Sequence, residues 1–198
     1  SHPERLLPTV RSRCQVFAFA PISPSDMSEA LVSRWGADQT TAGLVSHLAE
    51  GSLERARDLL NEDFRLERME VVSFFRNVLR RSPEAAHEAI NRLLAAGDRL
   101  VLGRMIGLLG LWFRDLLVLR SGGGDRVINR DQADDLRSFN EKFSAVDPAL
   151  LIAEVERTRT ALQNNATPQL LMIHFAHRIS EICHAMPASG IGGSGGPA

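Results

Sequence analysis

Cysteine is scarce in this sequence, neither sign of charge predominates, and no signature of a complete active site is present. The two cysteines, Cys14 and Cys183, are too few for a disulfide framework and fit a reducing, cytoplasmic environment. A formal net charge of −1 argues against a free-standing nucleic-acid-binding protein, because such proteins usually carry a clear basic excess. Walker-type phosphate loops, Ser-His-Asp series and Cys-x-x-Cys pairs are lacking as well. We therefore expect the chain alone to hold no cofactor and to be inactive as an enzyme.

A membrane-spanning segment is also lacking. The longest apolar stretch covers residues 100–119, but Arg104, Arg114 and Asp115 interrupt it, and each of them is costly at the centre of a bilayer. Its uninterrupted part, residues 105–113, is far shorter than the ~20 apolar residues that span a membrane. The sequence predicts a central, largely buried helix here and no membrane partner.

The sequence does contain a series of helix-start signals. Four dipeptides place a good N-cap residue before a proline suited to the first helical position: Ser23-Pro24, Ser82-Pro83, Asp147-Pro148 and Thr167-Pro168. Apolar residues follow each of them at helical spacing, and strand-like alternation is confined to residues 16–19. This pattern predicts an all-α protein.

The predicted helices fall into two size classes. Residues 20–62 contain three short helices, with turns at Gly36 and Gly51; they are predicted at residues 27–35, 40–49 and 53–60. Residues 63–186 contain five or six longer helices, packed around the apolar helix at residues 100–119. We therefore predict a small three-helix unit followed by a larger helical bundle.

Glycine marks three further features. Three glycines on one side of the central helix favour close packing of a neighbouring helix: Gly103, Gly107 and Gly110. Residues 120–129 include three consecutive glycines and are predicted to form an exposed loop. Residues 187–198 are rich in Gly, Ser and Pro and are predicted to be a disordered tail.

The opening of the chain carries the most specific motif. Residues 3–15 read P-E-R-L-L-P-T-V-R-S-R-C-Q, include Ser12-Arg13-Cys14, and are followed by a short apolar stretch. This run resembles the segment that closes the nucleotide-binding domain in bacterial sliding-clamp loaders, the AAA+ subunits of DNA polymerase III. The resemblance implies that residues 1–19 are the end of such a domain, that its remainder is missing, and that the chain is a C-terminal fragment.

The resemblance extends into the two predicted helical units. Gly51-Ser52-Leu53 stands where the lid of that family begins its sensor-2 helix. Residues 112–117, 127–129 and 164–170 are similar to parts of the helical collar through which the subunits of the family assemble. The resemblance thus implies that residues 20–62 form a three-helix lid and residues 63–186 form the collar.

Arg13 is the candidate catalytic residue that the resemblance implies. In the family, the arginine of the Ser-Arg-Cys motif is an arginine finger that reaches into the ATP site of the neighbouring subunit. A guanidinium suits this role because it is always charged and planar, so it can bridge phosphate oxygens where charge develops during transfer. Nothing near Cys14 in the sequence would activate its thiol, and we interpret it as a packing residue.

The sensor-2 position differs from that of ATP-hydrolysing subunits, which resemble Gly-Ser-Leu-Arg there. This chain has Glu54 in place of the arginine, and a carboxylate repels phosphate at short range. Arg55 follows about 100° further around the helix and is expected to point elsewhere. The substitution favours a subunit that does not use ATP itself, most like the subunit type called delta prime.

The predicted last helix offers a candidate metal site that we weighed against a simpler interpretation. Four of its residues share one face: His174, His177, Glu181 and His184. A Glu-x-x-His spacing occurs in di-iron bundles, and Glu84 and His87 repeat it. Such ligands must project into a bundle core, whereas the helical wheel places Glu84, Glu181 and His184 off the apolar stripes. We favour a solvated or interface face and predict no metal.

The resulting hypothesis is a non-hydrolysing clamp-loader subunit that assembles through its collar with tau/gamma and delta subunits. Arg13 would complete the ATP site of a tau/gamma neighbour, so that the complex loads the beta clamp onto primed DNA, which this chain contacts only through the whole complex. Three alternatives stay open: an ATP-binding tau/gamma subunit, a helical adaptor unrelated to replication, and a di-iron enzyme. A Walker lysine upstream would indicate the tau/gamma subunit. Failure to bind clamp-loader subunits would indicate the unrelated adaptor, and bound metal would indicate the di-iron enzyme.

Overall fold

The computed structural model describes residues 9, 13, 20–60 and 64–185, and within them every regular element is helical. Nine α-helices are described: α1 (Pro24–Trp35), α2 (Gln39–Leu48), α3 (Leu53–Leu60), α4 (Phe64–Leu79), α5 (Pro83–Ala95), α6 (Arg99–Arg120), α7 (Ala133–Lys142), α8 (Pro148–Gln163) and α9 (Pro168–His184). Two short 3-10 turns, Gly124–Arg126 and Arg130–Gln132, separate α6 from α7. The all-α prediction is confirmed, while the strand-like stretch at 16–19 and the tail at 187–198 lie outside the described residues.

The N-cap and proline signals act as predicted at three of the four positions. The side chains of Ser23, Ser82 and Asp147 each accept a hydrogen bond from a backbone N–H of the first helical turn, at 2.9–3.2 Å. Thr167 occupies the corresponding position before α9, but its side chain accepts no such bond. There the extended backbone at residue 167 and the fixed φ of Pro168 start the helix without a side-chain cap.

Helices α1 to α3 form the small unit and enclose a core of their own. Its buried side chains are apolar and include Met27, Leu31, Leu44, Val45, Ala56 and Leu59. The turns at Gly36 and Gly51 both require positive φ, +67° and +80°, which glycine adopts without strain. Gly51 also lies so close to Pro21 that an added Cβ would approach the proline Cβ to 2.3 Å. The tight turn between α2 and α3 therefore requires glycine at this position.

Helices α4 to α9 form the bundle, with α6 at its centre. Phe75 of α4 lies at the middle of an aromatic cluster, with ring centroids 5.4 Å from Trp112, 5.1 Å from Phe113 and 5.3 Å from Phe139. Phe74 stacks on Phe175 of α9 at 6.1 Å. The bundle has six helices among the described residues, and five of them are longer than any helix of the small unit, as predicted. The exception is α7, whose 10 residues are fewer than the 12 of α1.

The central helix, α6, contributes to the packing of both units. Gly103 and Gly110 face α8, where added Cβ atoms would lie 3.5 Å from Leu162 and 2.9 Å from Val155. Gly107 faces the small unit instead, with Leu48 at 3.0 Å from the corresponding position. The prediction of close helix packing is confirmed, but the three glycines approach two partners rather than one. Leu108 belongs to the core of the small unit, so that α6 joins the two cores.

The predicted exposed loop after α6 is only partly exposed. Val127 and Asn129 retain 4% and 3% of their accessible surface, because a buried side chain of α6, described below, binds the backbone here. None of the described helices combines the length and the apolar character that a membrane crossing requires.

Candidate functional site

Arg13 is exposed and lies in a turn, while its motif neighbours Ser12 and Cys14 lie outside the described residues. An exposed guanidinium is accessible to another molecule without any rearrangement of the fold. Its role as an arginine finger stays a prediction.

The turn that carries the sensor-2 motif has a defined local structure. Glu50 and Gly51 both have positive φ, and the Ser52 hydroxyl accepts a hydrogen bond from the backbone N–H of Arg55 at 3.3 Å. The Arg55 guanidinium turns back and pairs with the Glu50 carboxylate at 3.2 Å. Glu54 is exposed at the start of α3. The first turn of α3 therefore presents a carboxylate to solvent and holds its arginine against the preceding turn.

The same turn is tied to the bundle through a surface ion pair. Arg159 of α8 contacts the Glu50 carboxylate and also pairs with Glu156 at 3.4 Å. Half of the Glu50 side chain is accessible, 49%, so water and salt screen these interactions and each contributes about 0–1 kcal/mol. The contact orients the turn more than it stabilises the protein.

A second, buried connection is centred on Asp115 of α6. Its carboxylate is fully buried and accepts hydrogen bonds from the backbone N–H groups of Ile128 at 3.1 Å and Asn129 at 2.8 Å. The Asn129 side-chain amide donates to it at 2.8 Å, and the Arg114 guanidinium pairs with it at 2.8 Å. These four groups supply the hydrogen bonds that a buried carboxylate otherwise loses with its water. Asp115 thereby fixes the segment after α6.

That segment contacts the small unit. Arg68 of α4 donates to Asn129 Oδ1 at 3.0 Å and to Asp131 at 2.8 Å, which holds the segment from its other side. Ile128, between these anchors, packs on the small unit, and a Cβ added to Gly43 of α2 would lie 3.1 Å from it. The two collar-like segments noticed in the sequence, residues 112–117 and 127–129, therefore meet and together support the small unit.

The third collar-like segment, residues 164–170, forms the turn between α8 and α9. Asn165 adopts a positive φ of 62° there. Arg99, at the start of α6, donates to the carbonyl oxygens of Leu162 at 2.5 Å and Ala166 at 3.0 Å. These donations tie the start of α6 to one carbonyl in the last turn of α8 and to one in the turn that follows it. Arg99 was not singled out from the sequence, since nothing in its spacing relates it to a turn more than 60 residues away.

The polar face of α9 does not assemble a metal site. Its candidate ligands were His174, His177, Glu181 and His184. His177 Nδ1 lies 3.5 Å from Glu181, while His184 Nδ1 lies 2.8 Å from the Ser180 carbonyl oxygen. His174 approaches Glu154 of α8, a buried carboxylate that Arg157 binds at 3.0 Å. Among the residues that the structure describes, no group of three or more potential ligands is arranged to hold a metal ion.

Cys183 and Glu84 are among the titratable groups outside that face whose pKa values are shifted. Burial raises the pKa of the Cys183 thiol to about 12, so the thiol stays protonated and unreactive at neutral pH. At the start of α5, the backbone N–H of Glu84 and the Ser82 hydroxyl hold the pKa of the Glu84 carboxyl below its usual range. Both groups have structural explanations.

The described residues thus define an all-α protein in which a unit of three short helices is docked on the central helix of a larger bundle. Among curated proteins, DNA polymerase III subunit delta' of Bacillus subtilis (strain 168) is similar to this chain, with 23% identity over 180 residues. The match covers 90% of this chain and 54% of the relative, so the chain spans about half of the relative's length. No family model matches the chain, and no solved structure matches it.

The chain is therefore a distant relative of a DNA polymerase III subunit over nearly its whole length. This confirms the resemblance that residues 3–15 and the collar-like segments predicted.

Proposed function

We propose that this chain is the lid and collar portion of a clamp-loader subunit of the delta prime type, which hydrolyses no ATP itself. The observation that carries the proposal is the relation to the Bacillus subtilis subunit over 90% of the chain. Two features of the fold support it. A three-helix unit, residues 20–60 as described, precedes a helical bundle, and the residues that open α3 present Glu54 where a nucleotide-binding subunit would need a cation.

The bundle, as the collar, would join this subunit to tau/gamma and delta subunits. Helices α4, α6 and α9 run parallel. In α4 and α6, Glu67 contacts Arg104 near the start of both helices, and Phe75 contacts Trp112 further along both. In α4 and α9, Val71 lies beside Met172 and Phe175, while Val78 lies beside residues 173–180, further along α9. The N-terminal turns of these helices therefore lie at the same end of the bundle. Four exposed apolar side chains occur there: Leu66, Met69, Leu100 and Leu170. We call this set the apolar end.

The apolar end is the surface that we assign to collar assembly. Leu66, Leu100 and Leu170 retain 67%, 80% and 68% of their accessible surface. A cluster of exposed large apolar side chains on a folded domain is typical of a protein–protein interface, where burial of each contributes about 1.5–3 kcal/mol.

The test is a pair of single substitutions in the subunit assembled with its partners. Leu170→Asp in the apolar end should weaken binding to tau/gamma and delta subunits by at least about tenfold, because it places a charge in an apolar contact. Leu150→Asp is the matched control, since Leu150 is also exposed but begins α8, which runs antiparallel to α6 and so starts at the opposite end. Binding is measured by sedimentation or light scattering of the mixed subunits, with helicity checked by circular dichroism. Equal loss with both variants, or loss with neither, would contradict this assignment.

A further inference from the structure

A groove of about 360 Å³ between α4 and α7 has features that the collar contacts do not explain. Its floor is aromatic: Phe75, Trp112, Phe139 and Phe143 line it. The Trp112 and Phe139 rings lie 5.6 Å apart, and Phe139 stacks on Phe143 at 4.7 Å. This volume suits one large apolar side chain, together with the backbone on either side of it.

Trp112 contributes a donor that lacks an acceptor. The residue retains 5% of its accessible surface, and its indole Nε1–H is buried without a hydrogen-bond partner among the described residues. Leaving such a donor unsatisfied costs on the order of 1–3 kcal/mol, and buried polar groups are otherwise almost always paired. Because this donor has almost no accessible surface, a ligand in the groove meets the Trp112 ring rather than the N–H itself.

The rim of the groove carries excess positive charge. Arg76 pairs with Asp135 at 2.7 Å, so the charge of this cation is balanced by that of the carboxylate that lines the groove. Arg80 and Lys142 line the same rim, and neither forms an ion pair with a described residue. The Arg80 guanidinium contacts only Asn77 Oδ1 at 3.4 Å, and the Lys142 ammonium lies 5.7 Å from the centroid of the Phe143 ring. Two cations without ion-pair partners among the described residues therefore flank an apolar groove.

We propose that this groove binds a short acidic segment of a partner protein. One large apolar side chain of the segment enters the groove over the rings of Trp112 and Phe139. Acidic side chains on either side pair with Arg80 and Lys142. The proposal stands independently of the clamp-loader function, because it rests on the groove alone.

Other occupants fit the groove less well. An extended nucleic acid would carry its regularly spaced phosphates past Asp134, Asp135 and Glu141, the acidic residues of α7. A short peptide can place its acidic side chains at the two rim cations alone. The chain's own C-terminal residues, 186–198, contain no aspartate or glutamate and would leave both rim cations without partners. An acidic peptide with one large apolar side chain satisfies the two cations and the apolar floor together.

The two tryptophans of the chain provide a direct test. The 198-residue protein, labelled with nitrogen-15, is titrated with five peptides, acetyl-Asp-Glu-Xaa-Asp-Ala-amide, in which Xaa is Leu, Ile, Met, Phe or Trp. At least one peptide should shift the indole N–H signal of Trp112 saturably, whereas that of Trp35, which lies in α1, should stay in place. The corresponding Asn/Gln peptide should bind at least about tenfold more weakly, because it lacks the charges that pair with the rim.

Matched variants locate the binding. Arg80→Ala combined with Lys142→Ala should weaken binding at least about tenfold. Arg137→Ala, which removes a cation of α7 that does not line the groove, should leave binding unchanged. An unmoved Trp112 signal with all five peptides at millimolar concentration would overturn the proposal, as would equal binding of the neutral peptide. Stronger binding of oligothymidylate would assign the groove to nucleic acid, and a shift that depends on protein concentration alone would assign it to a second copy of the chain; either result also overturns it.

Discussion

Two carboxylates take part in connecting the small unit with the helical bundle, and they differ in how far solvent reaches them. Asp115 is fully buried and accepts hydrogen bonds from Ile128, Asn129 and Arg114, whereas Glu50 is half exposed and pairs with Arg159 across the surface. A buried carboxylate has no water to replace a lost donor, but an exposed one does. The comparison teaches that buried charge fixes the architecture here, while exposed charge adds little stability and stays accessible to other molecules.

The largest expected effect comes from removing the buried carboxylate. Asp115→Ala leaves the backbone N–H groups of Ile128 and Asn129 unsatisfied and removes the partner of Arg114. We expect the free energy of unfolding to fall by about 3–5 kcal/mol, as when one member of a buried ionic network is deleted. Urea denaturation, followed by circular dichroism, measures the change.

Asp134→Ala is the control for that measurement. Asp134 is an aspartate on the surface of α7, its side chain is 97% accessible, and it pairs only with Arg137 one turn along the helix. Its removal should change the free energy of unfolding by no more than about 0.5 kcal/mol. Comparable losses from both variants would break the distinction between buried and exposed carboxylates.

Arg13 extends the comparison from stability to activity. An exposed charge can contribute to activity without contributing to the free energy of unfolding. In the assembled clamp loader, Arg13→Ala should leave assembly and the free energy of unfolding nearly unchanged, yet reduce clamp-dependent ATP hydrolysis by about tenfold or more. A finger supplied in trans contributes ~10³–10⁵ in the best-studied systems, but this arginine would serve only one of several ATP sites. Arg13→Lys should restore little, because a single ammonium cannot reproduce the planar guanidinium. Normal ATP hydrolysis and clamp loading by a fully assembled Arg13→Ala complex would exclude the finger.

The smallest effect is expected at the exposed carboxylate. Glu50→Gln keeps the size of the side chain in its positive-φ turn but removes the charge that pairs with Arg55 and Arg159. A double-mutant cycle with Arg159→Ala should give a coupling free energy of about 0–1 kcal/mol. The coupling should decrease further in 1 M salt, where the Debye length is about 3 Å. A coupling of several kcal/mol that persists in high salt would mean that the surface pair holds the two units together.

The helices were predictable because their signals are local. An N-cap residue, a proline and an apolar stripe lie within a few turns of one another, and α5 and α8 begin at Pro83 and Pro148 as those signals predict. The loop after α6 was predicted less well. Its glycines were visible in the sequence, but Asp115, which accepts a hydrogen bond from the buried Asn129, lies 14 residues earlier. Asp115 itself carried a signal, because a carboxylate inside an apolar helix needs partners.

The sites depend on contacts that no local pattern encodes. Aromatic and basic residues are not interleaved along the sequence. Arg80 just after α4, Trp112 of α6 and Lys142 of α7 nevertheless line one groove, because three separate helices pack together. Conversely, His174 and His177 share a helical face but bind different carboxylates. The arginine motif at residue 13 was readable only through its resemblance to a family, since one exposed arginine has no chemical signature of its own.

The sharing of α6 has a consequence for how the protein loses its structure. Leu108 lies in the core of the small unit, while Met105, about one turn earlier, and Leu109, the next residue, lie in the core of the bundle. Neither core can open fully without exposing apolar surface of the 22-residue helix that both enclose. The two units should therefore behave as one cooperative folding unit. The amide protons at the middle of α6 should exchange with solvent only when the whole chain unfolds. Amide protons in the adjoining parts of α2 and of α8 should give the same free energy of opening as those of α6.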